Sequence, residues 1–474
     1  MRCLPYVVLA LFTGACQPVV DSRQEIDLLV VKGLIIDVLA DTPPEQIDIA
    51  ILDGKILATG PVLAETYRAT AQYDAAGRYL IPGLADMHSH FGNAIYSDDR
   101  DDSRPVLARH LYFGNTTILN MGSAQGWTAR IDSMREQLAD GSLKGPRLLA
   151  VGTLFTMPGS HPTTTIYSAD LQRRIAAILA DSEKGKAIDL APLRGTTLVS
   201  DADELAGEVD KLGRWGADAI KLTVESGPTE FGDDHPQMTA PMIAAAVQIA
   251  SRYQIPVLCH ISSVDELEAC MANGAAGSVH AVVPMVPLPG DLEQRMVESG
   301  QAMIPTASMF EGWGRYASDP GLLEQPALQP VLSDFERQLL SSPRMREQFA
   351  SGPEWAAGVE RLRNHVRAFH DSGGLLVAGT DTGNPYRIAG LALHEELAFY
   401  VSAGLSERAA LATATINAAR LVNAEDMWGT IRSGLAADLV VLAANPLLDI
   451  SNTLTIVDVI QAGAVVHRDA LPLR

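Results

Sequence analysis

Cysteine is scarce in this chain: Cys3, Cys16, Cys259 and Cys270 are the only four among 474 residues. So small a supply offers no disulfide framework, which excludes a stapled miniature fold. Basic residues are also in deficit, with 36 Lys and Arg against 57 Asp and Glu and a formal net charge of −21. That balance argues against nucleic acid or anionic lipid as a partner held by charge. Long apolar runs are missing as well, and no stretch is long enough to cross a bilayer. What remains is an ordinary globular composition, 47% hydrophobic and 20% charged, which excludes general disorder.

The one apolar stretch at the N-terminus, MRCLPYVVLALFTGACQP, reads as a secretory signal covering residues 1–15. Residues 13–16, TGAC, resemble a bacterial lipoprotein cleavage box with Thr13 in place of the usual leucine. The chain is therefore expected to be exported, either to the periplasm or to a membrane surface through a lipid on Cys16. An ordinary cleaved signal that exports a soluble protein is the alternative. Further along, Cys259 reads as a small buried residue facing away from its neighbour His260.

The most informative stretch is residues 80–90, LIPGLADMHSH. A short apolar run broken by Pro82 and Gly83 leads to two imidazoles two residues apart, and on an extended strand alternate side chains share a face. His88 and His90 thus form a preorganised half-site for zinc or a similar borderline ion. An isolated His-x-His is as readily a polar strand end, so the weight falls on the ligands that the rest of the chain supplies. Lys221 sits in ADAIKLTV, His260 ends IPVLCH, His280 ends AAGSVH and Asp381 ends GLLVAGTD. Each closes a β-like segment, as in an α/β fold of the (β/α)8 TIM-barrel type, where functional groups gather at the carboxyl ends of parallel strands.

With His88, His90, Lys221, His260, His280 and Asp381 in this order, the chain resembles the metal-dependent amidohydrolase superfamily, in its imidazolonepropionase-like and prolidase-like branch. The likeness runs over residues 26–467. It includes GNTTILNMG at 114–122, the run HEELAFYVSAGLSERAALATATINAARLV, and the closing GTIRSGLAADLVVLAANPLLDI. The resemblance implies a barrel over residues 80–423 and a small β-sandwich assembled from both ends, 26–79 with 424–474. It also implies a ligand set: His88, His90 and Asp381 on one divalent ion, His260 and His280 on a second, and Lys221, carboxylated by carbon dioxide, bridging them. Zinc is the default metal because imidazole, carboxylate and carbamate suit it.

Two such ions activate water near neutral pH and polarise a carbonyl. Asp381 is then expected to take the proton of the attacking water and pass it to a leaving nitrogen. The implied reaction is hydrolysis of a carbon-nitrogen bond in a small-molecule substrate, such as an Xaa-Pro dipeptide or an N-acyl amino acid. The same site can attack lactones, esters, carbamates or phosphotriesters. An unmodified Lys221 would instead fit a mononuclear cyclic-amide hydrolase. A silent binding lipoprotein is a third reading, against which the complete ligand set argues.

Strands are expected near 81–88, 115–121, 147–152, 217–224, 256–260, 276–280, 302–306 and 375–381, with helical patterns such as DELAGEVDKLGRWG and APMIAAAVQIASRY between them. Two connections, 153–200 and 307–362, exceed ordinary barrel loops and are candidate lids. Three residues are candidates for holding substrate: His161 in TMPGSHPTT, and Tyr386 and Arg387 in DTGNPYR. Arg387 would pair with a substrate carboxylate, a salt bridge to an acidic neighbour being the competing reading. His394 and Glu395 are assigned to helix packing or helix-start electrostatics and not to catalysis. His110, His235, His365, His370 and His467 are assigned to loops or polar helix faces. Relatives commonly form dimers or larger rings, and no interface is legible in this chain.

Overall fold

Residues 24–82 build strands of a sheet before the first histidine pair is reached. The computed structural model describes residues 22–90, 103–122, 128–163, 196–225, 235–282, 288–312, 315–348, 353–384 and 387–474. The signal segment, Cys16 and Tyr386 lie outside these residues.

Five strands open the chain: β1 (Gln24–Ile35), β2 (Glu45–Leu52), β3 (Lys55–Gly60), β4 (Tyr67–Asp74) and β5 (Tyr79–Pro82). They pair with three from the other end, β16 (Leu439–Leu442), β17 (Ile456–Gln461) and β18 (Ala464–Val466). The result is one eight-stranded sheet in the order β18-β17-β16-β5-β1-β2-β3, with β4 on β1. The continuous apolar run LLVV of β1 is explained by burial on both faces. Leu28 and Val30 pack with Leu439 and Val441 on one side, and Leu29 and Val31 pack with Ala50 on the other.

Between these ends lie ten further strands: β6 (Leu84–Ser89), β7 (Asn115–Asn120), β8 (Arg147–Ala150), β9 (Leu154–Thr156), β10 (Thr196–Leu198), β11 (Ile220–Thr223), β12 (Val257–His260), β13 (Gly277–Val279), β14 (Ala302–Ile304) and β15 (Leu375–Leu376). They form a parallel sheet β6-β7-β8 and a parallel sheet β10-β9-β11-β12-β13-β14-β15. Backbone hydrogen bonds join the two sheets at both margins. The N–H of Asp218 donates to Ala150 (3.0 Å), that of Met87 to Ala378 (3.0 Å) and that of His90 to Thr382 (2.6 Å). Helices alternate with the strands, as right-handed parallel connections require. The helix Ala202–Trp215 is typical: Asp201 caps it by accepting from the Glu204 N–H, Leu205, Val209 and Leu212 form its buried stripe, and Gly216 ends it in the left-handed region at φ 92°.

The strand period decides which side chains meet. Ala219, Leu258, Val279, Ile304 and Val377 share one apolar cluster, while Ile220, Leu222 and Cys259 belong to another that includes the helices. Lys221 alternates with Ile220 and Leu222, and His260 with Cys259, so both point to the side lined by Ala219 and Leu258.

Two expectations need correction, and the two long connections take particular forms. The segment expected as a first strand over 81–88 splits at Pro82 and Gly83: β5 belongs to the terminal sheet, pairing with β1 and β16, and the parallel sheet begins at Leu84. A Cβ on Gly83 would lie 2.0 Å from Thr116 Oγ1, so the chain passes from one sheet to the other at a point with no room for a side chain. The connection 307–362, a candidate lid, is a run of short helices, among them Ala307–Gly312, Asp334–Leu340 and the start of Pro353–Asp371. It is fastened by the buried pair Arg109–Glu336 (2.6 Å), and Arg109 Nε also donates to the Leu473 carbonyl (2.8 Å). In the connection 153–200, residues 164–195 lie outside the described residues. Finally, Cys259 is not a free buried thiol: it forms a disulfide with Cys270, tying β12 to the helix Val264–Ala272. Two cysteines eleven residues apart on adjacent elements suffice for one bridge even where none is expected from their number. No helix among the described residues is long and apolar enough to cross a membrane.

Candidate metal centre

Six side chains expected at one site converge at the carboxyl ends of the parallel strands. His88 and His90 leave β6 on one face, and the segment after β15 runs beside them, with the N–H groups of Thr380 and Asp381 donating to the His88 carbonyl (3.2 and 2.8 Å). This brings the Asp381 carboxylate to 3.4 Å from His88 Nε2 and 3.3 Å from His90 Nε2, while the two Nε2 atoms lie 3.2 Å apart. Lys221 Nζ is 3.0 Å from His88 Nε2. His280 Nε2 is 4.0 Å from Asp381, and its ring stands between those of His88 and His260, at 4.9 and 4.4 Å.

The donor set fits a small divalent cation. With metal-nitrogen bonds of about 2.0 Å, ligand atoms in a tetrahedron lie about 3.3 Å from one another. The three separations within His88, His90 and Asp381 are 3.2, 3.3 and 3.4 Å. Two of these contacts set an imidazole against a carboxylate, and the third sets two imidazole nitrogens against each other, an arrangement a shared cation makes favourable.

Burial tunes Lys221, His88, His260, His280 and Asp381. It pushes Lys221 down from 10.5 to about 8, with the Asp381 charge opposing it, so a share of the amine is neutral near pH 7. Burial, with the charge of Lys221 added, holds His88 well below its ordinary value and takes His260 to about 3. His280 is lowered by burial and by His260. Burial pushes Asp381 up, but its close neighbours His88, His90 and His280, with a hydrogen bond from His90, outweigh that push and hold it well below the usual carboxylate range. His88, His260 and His280 are thus pushed toward the neutral form and Asp381 toward the ionised form, the states a metal requires.

The supporting groups are equally specific. Asp86 accepts from the N–H of His88 and of Thr380 (3.1 Å each) and from Thr380 Oγ1 (2.6 Å), which locks β6 to the Asp381 segment. Thr306 Oγ1 holds His280 Nδ1 at 2.7 Å. His280, Thr306 and Asp381 all adopt positive φ, at 66°, 46° and 56°. Backbone held in that region by residues other than glycine is a strain concentrated here at the strand ends. Gly379 allows the approach, since a Cβ there would lie 2.5 Å from Ile304 Cγ2 and 2.8 Å from His88 Cβ.

Other expected residues fall elsewhere. Arg387 does not face a substrate: its guanidinium is buried, donating to the Ser308 carbonyl and hydroxyl and the Ala392 carbonyl and pairing with Glu395 at 3.0 Å. A buried guanidinium with five donors is satisfied best by such fixed neighbours, and Glu395 lies on the helix that begins just beyond it. Glu395 also accepts from Arg315 and Tyr316 (2.9 Å each), so it too is structural. His394 bridges the Phe113 carbonyl and Thr453 (2.8 Å each). His110 is not on a polar face: it is fully buried, with Ser89 Oγ at 3.2 Å, and so braces the residue between the two histidines of β6. His365 is likewise buried, against Glu293 at 2.7 Å.

His161 does enter the pocket, and with it a residue the sequence did not single out. Glu225, two residues beyond β11 and 2% exposed, places Oε2 2.9 Å from His260 Nε2 and 3.2 Å from His161 Nδ1. The rings of His161 and His260 lie 4.6 Å apart. An acidic residue past the end of a strand carries no periodic signal; its one clue was its place four residues after Lys221, on the same strand face if the strand is continued.

The amidohydrolase family model matches residues 79–466. The chain is 22% identical over 455 residues to ochratoxinase of Aspergillus niger, covering 91% of this chain and 84% of the relative. It is 27% identical over 262 residues to adenine deaminase of Nitratidesulfovibrio vulgaris, a match over 53% of this chain that spans only 39% of that protein's length. Its fold is similar to that of a crystallised Xaa-Pro dipeptidase with methionine in the active site, with a TM-score of 0.67 at 22% identity, covering 93% of this chain and 99% of that one. The family match spans every converging ligand, and the chain belongs to the amidohydrolase family.

Proposed function

We propose that this protein is a binuclear metal-dependent hydrolase of carbon-nitrogen bonds in small substrates, dipeptides or N-acyl amino acids, built on a (β/α)8 barrel flanked by a terminal β-sandwich. The observation that carries the reading is the convergence of His88, His90 and Asp381 at the spacing of ligands on one ion, with Lys221 buried against them. His88, His90 and Asp381 would hold the first ion and His260 and His280 would serve the second, with Lys221 between them as its carbon dioxide adduct. The neutral share of a buried lysine brought down to about 8 is the form that reacts with carbon dioxide, which supports that assignment.

Bound divalent ions, zinc by the softness of the donors, supply a Lewis acid and lower the pKa of water. Asp381, ionised and fixed through its backbone to the His88 carbonyl, receives the proton of the attacking water and delivers it to the leaving nitrogen. The Cys259–Cys270 disulfide supports the further reading that the chain is exported, with Cys16 as the lipid-bearing residue, since such bridges persist in oxidising compartments. Hydrolysis of a panel of Xaa-Xaa and Xaa-Pro dipeptides and N-acyl amino acids, set beside a lactone and an aryl phosphotriester, tests the reaction class. Amide cleavage exceeding the ester-type reactions is expected; turnover of the lactone or phosphotriester alone would replace the reading.

A further inference from the structure

Within the metal-binding pocket, one carboxylate remains without a role in the chemistry above. Glu225 is almost fully buried, 2% exposed, and its Oε2 is approached by two imidazole nitrogens, His260 Nε2 at 2.9 Å and His161 Nδ1 at 3.2 Å. No arginine or lysine pairs with it among the described residues; the polar atoms around it are histidine nitrogens and, at its carbonyl, Ser160 Oγ at 3.4 Å. A buried carboxylate flanked by two imidazole nitrogens lacks the fixed positive charge that burial calls for, and a divalent cation shared with those nitrogens would supply it. The arrangement repeats the chemistry of the first cluster, two imidazoles and a carboxylate with donor atoms within 4.8 Å of one another.

We propose that Glu225, His161 and His260 form a cation position of their own, so that the second ion has a protein carboxylate as ligand and is retained when Lys221 is not carboxylated. The inference rests on the reading that this pocket holds divalent metal. It assigns His161 to the metal instead of to the substrate, and it makes Glu225 a ligand where the sequence pattern supplied only His260, His280 and Lys221. A carboxylate at 2.9 and 3.2 Å from two imidazoles takes a shared divalent ion at about 2.0–2.2 Å from each donor with only sub-ångström movement. His280, whose Nδ1 is held by Thr306 and whose ring lies 4.4 Å from that of His260, stands between the two positions and is available to either.

The test reads metal directly. Anomalous diffraction from crystals of the wild-type protein grown with zinc should show two peaks, one of them within about 2.2 Å of a Glu225 carboxylate oxygen. A second peak held by His260 and His280 with Glu225 more than about 3 Å away would overturn the proposal while leaving the binuclear reading intact. Absence of zinc from the pocket altogether would overturn both. In solution, stepwise zinc titration of chelator-stripped protein should give two steps. Glu225→Gln should weaken one of them at least 100-fold and leave the other unchanged, and Lys221→Met should keep the step that Glu225→Gln removes. Equal affinities for wild type and Glu225→Gln would overturn the proposal, and far-ultraviolet circular dichroism of both variants verifies that each is folded.

Discussion

The two halves of the pocket are built differently. His88, His90 and Asp381 stand on neighbouring strand segments laced by backbone hydrogen bonds and by the buried Asp86. His161 and Glu225 come instead from beyond the ends of β9 and β11, and only His260 of that cluster lies on a strand. The first half is thus fixed by sheet pairing, and the second depends on where two connections fold back. A pocket made this way has one rigid wall held by strand pairing and one wall carried on connections.

The largest expected effect strikes the rigid wall. Asp381→Asn keeps the shape of the side chain but removes its charge and its capacity to take a proton, and turnover should fall by about 10²- to 10⁴-fold. Steady-state hydrolysis of the best substrate measures this; a loss smaller than tenfold would remove Asp381 from the proton path.

A histidine outside the pocket gives the contrast. Burial lowers His394 from 6.5 to about 4, so its neutral form is favoured in the folded state. Its contribution to stability is complete above pH 6.5 and is lost as the pH falls toward 4, by up to about 3 kcal/mol. Denaturant unfolding at pH 7.5 and pH 4.5 should show that loss reduced in His394→Gln; identical slopes with pH in both proteins would contradict it.

Much of this was legible in the sequence because the rigid wall obeys a period. His88 and His90 are two apart on a strand, Lys221 and His260 sit within alternating apolar runs, and Asp381 ends one. The family likeness then joined the two chain ends, which share a sheet through β5 and β16 but carry no local signal of doing so. Glu225 and the partner of Arg387 were illegible for the opposite reason. A residue past a strand end has no face until its connection folds, and the long arginine side chain reaches either a substrate or Glu395 from the same place in the chain. The Cys259–Cys270 bridge was hidden because it joins a strand to a helix whose approach the spacing does not determine.

Smaller changes sharpen the contrast between the walls. Gly379→Ala inserts a methyl 2.5 Å from Ile304 Cγ2 and 2.8 Å from His88 Cβ, which should destabilise the fold by about 1–3 kcal/mol and weaken the first metal step more than the second. Zinc titration with thermal unfolding checks both halves of that expectation. Thr306→Val removes the hydroxyl that orients His280, and metal affinity should drop by roughly tenfold. Unchanged affinity there would mean that the packing around His280 orients the ring without the bond.

The measurement closest to the central claim is turnover of a dipeptide or N-acyl amino acid followed while metal is returned to chelator-stripped protein. No hydrolysis is expected in the stripped protein, with a rise that saturates at two equivalents of zinc. Full activity in the stripped protein, confirmed free of metal by elemental analysis, would contradict a metal-dependent hydrolase.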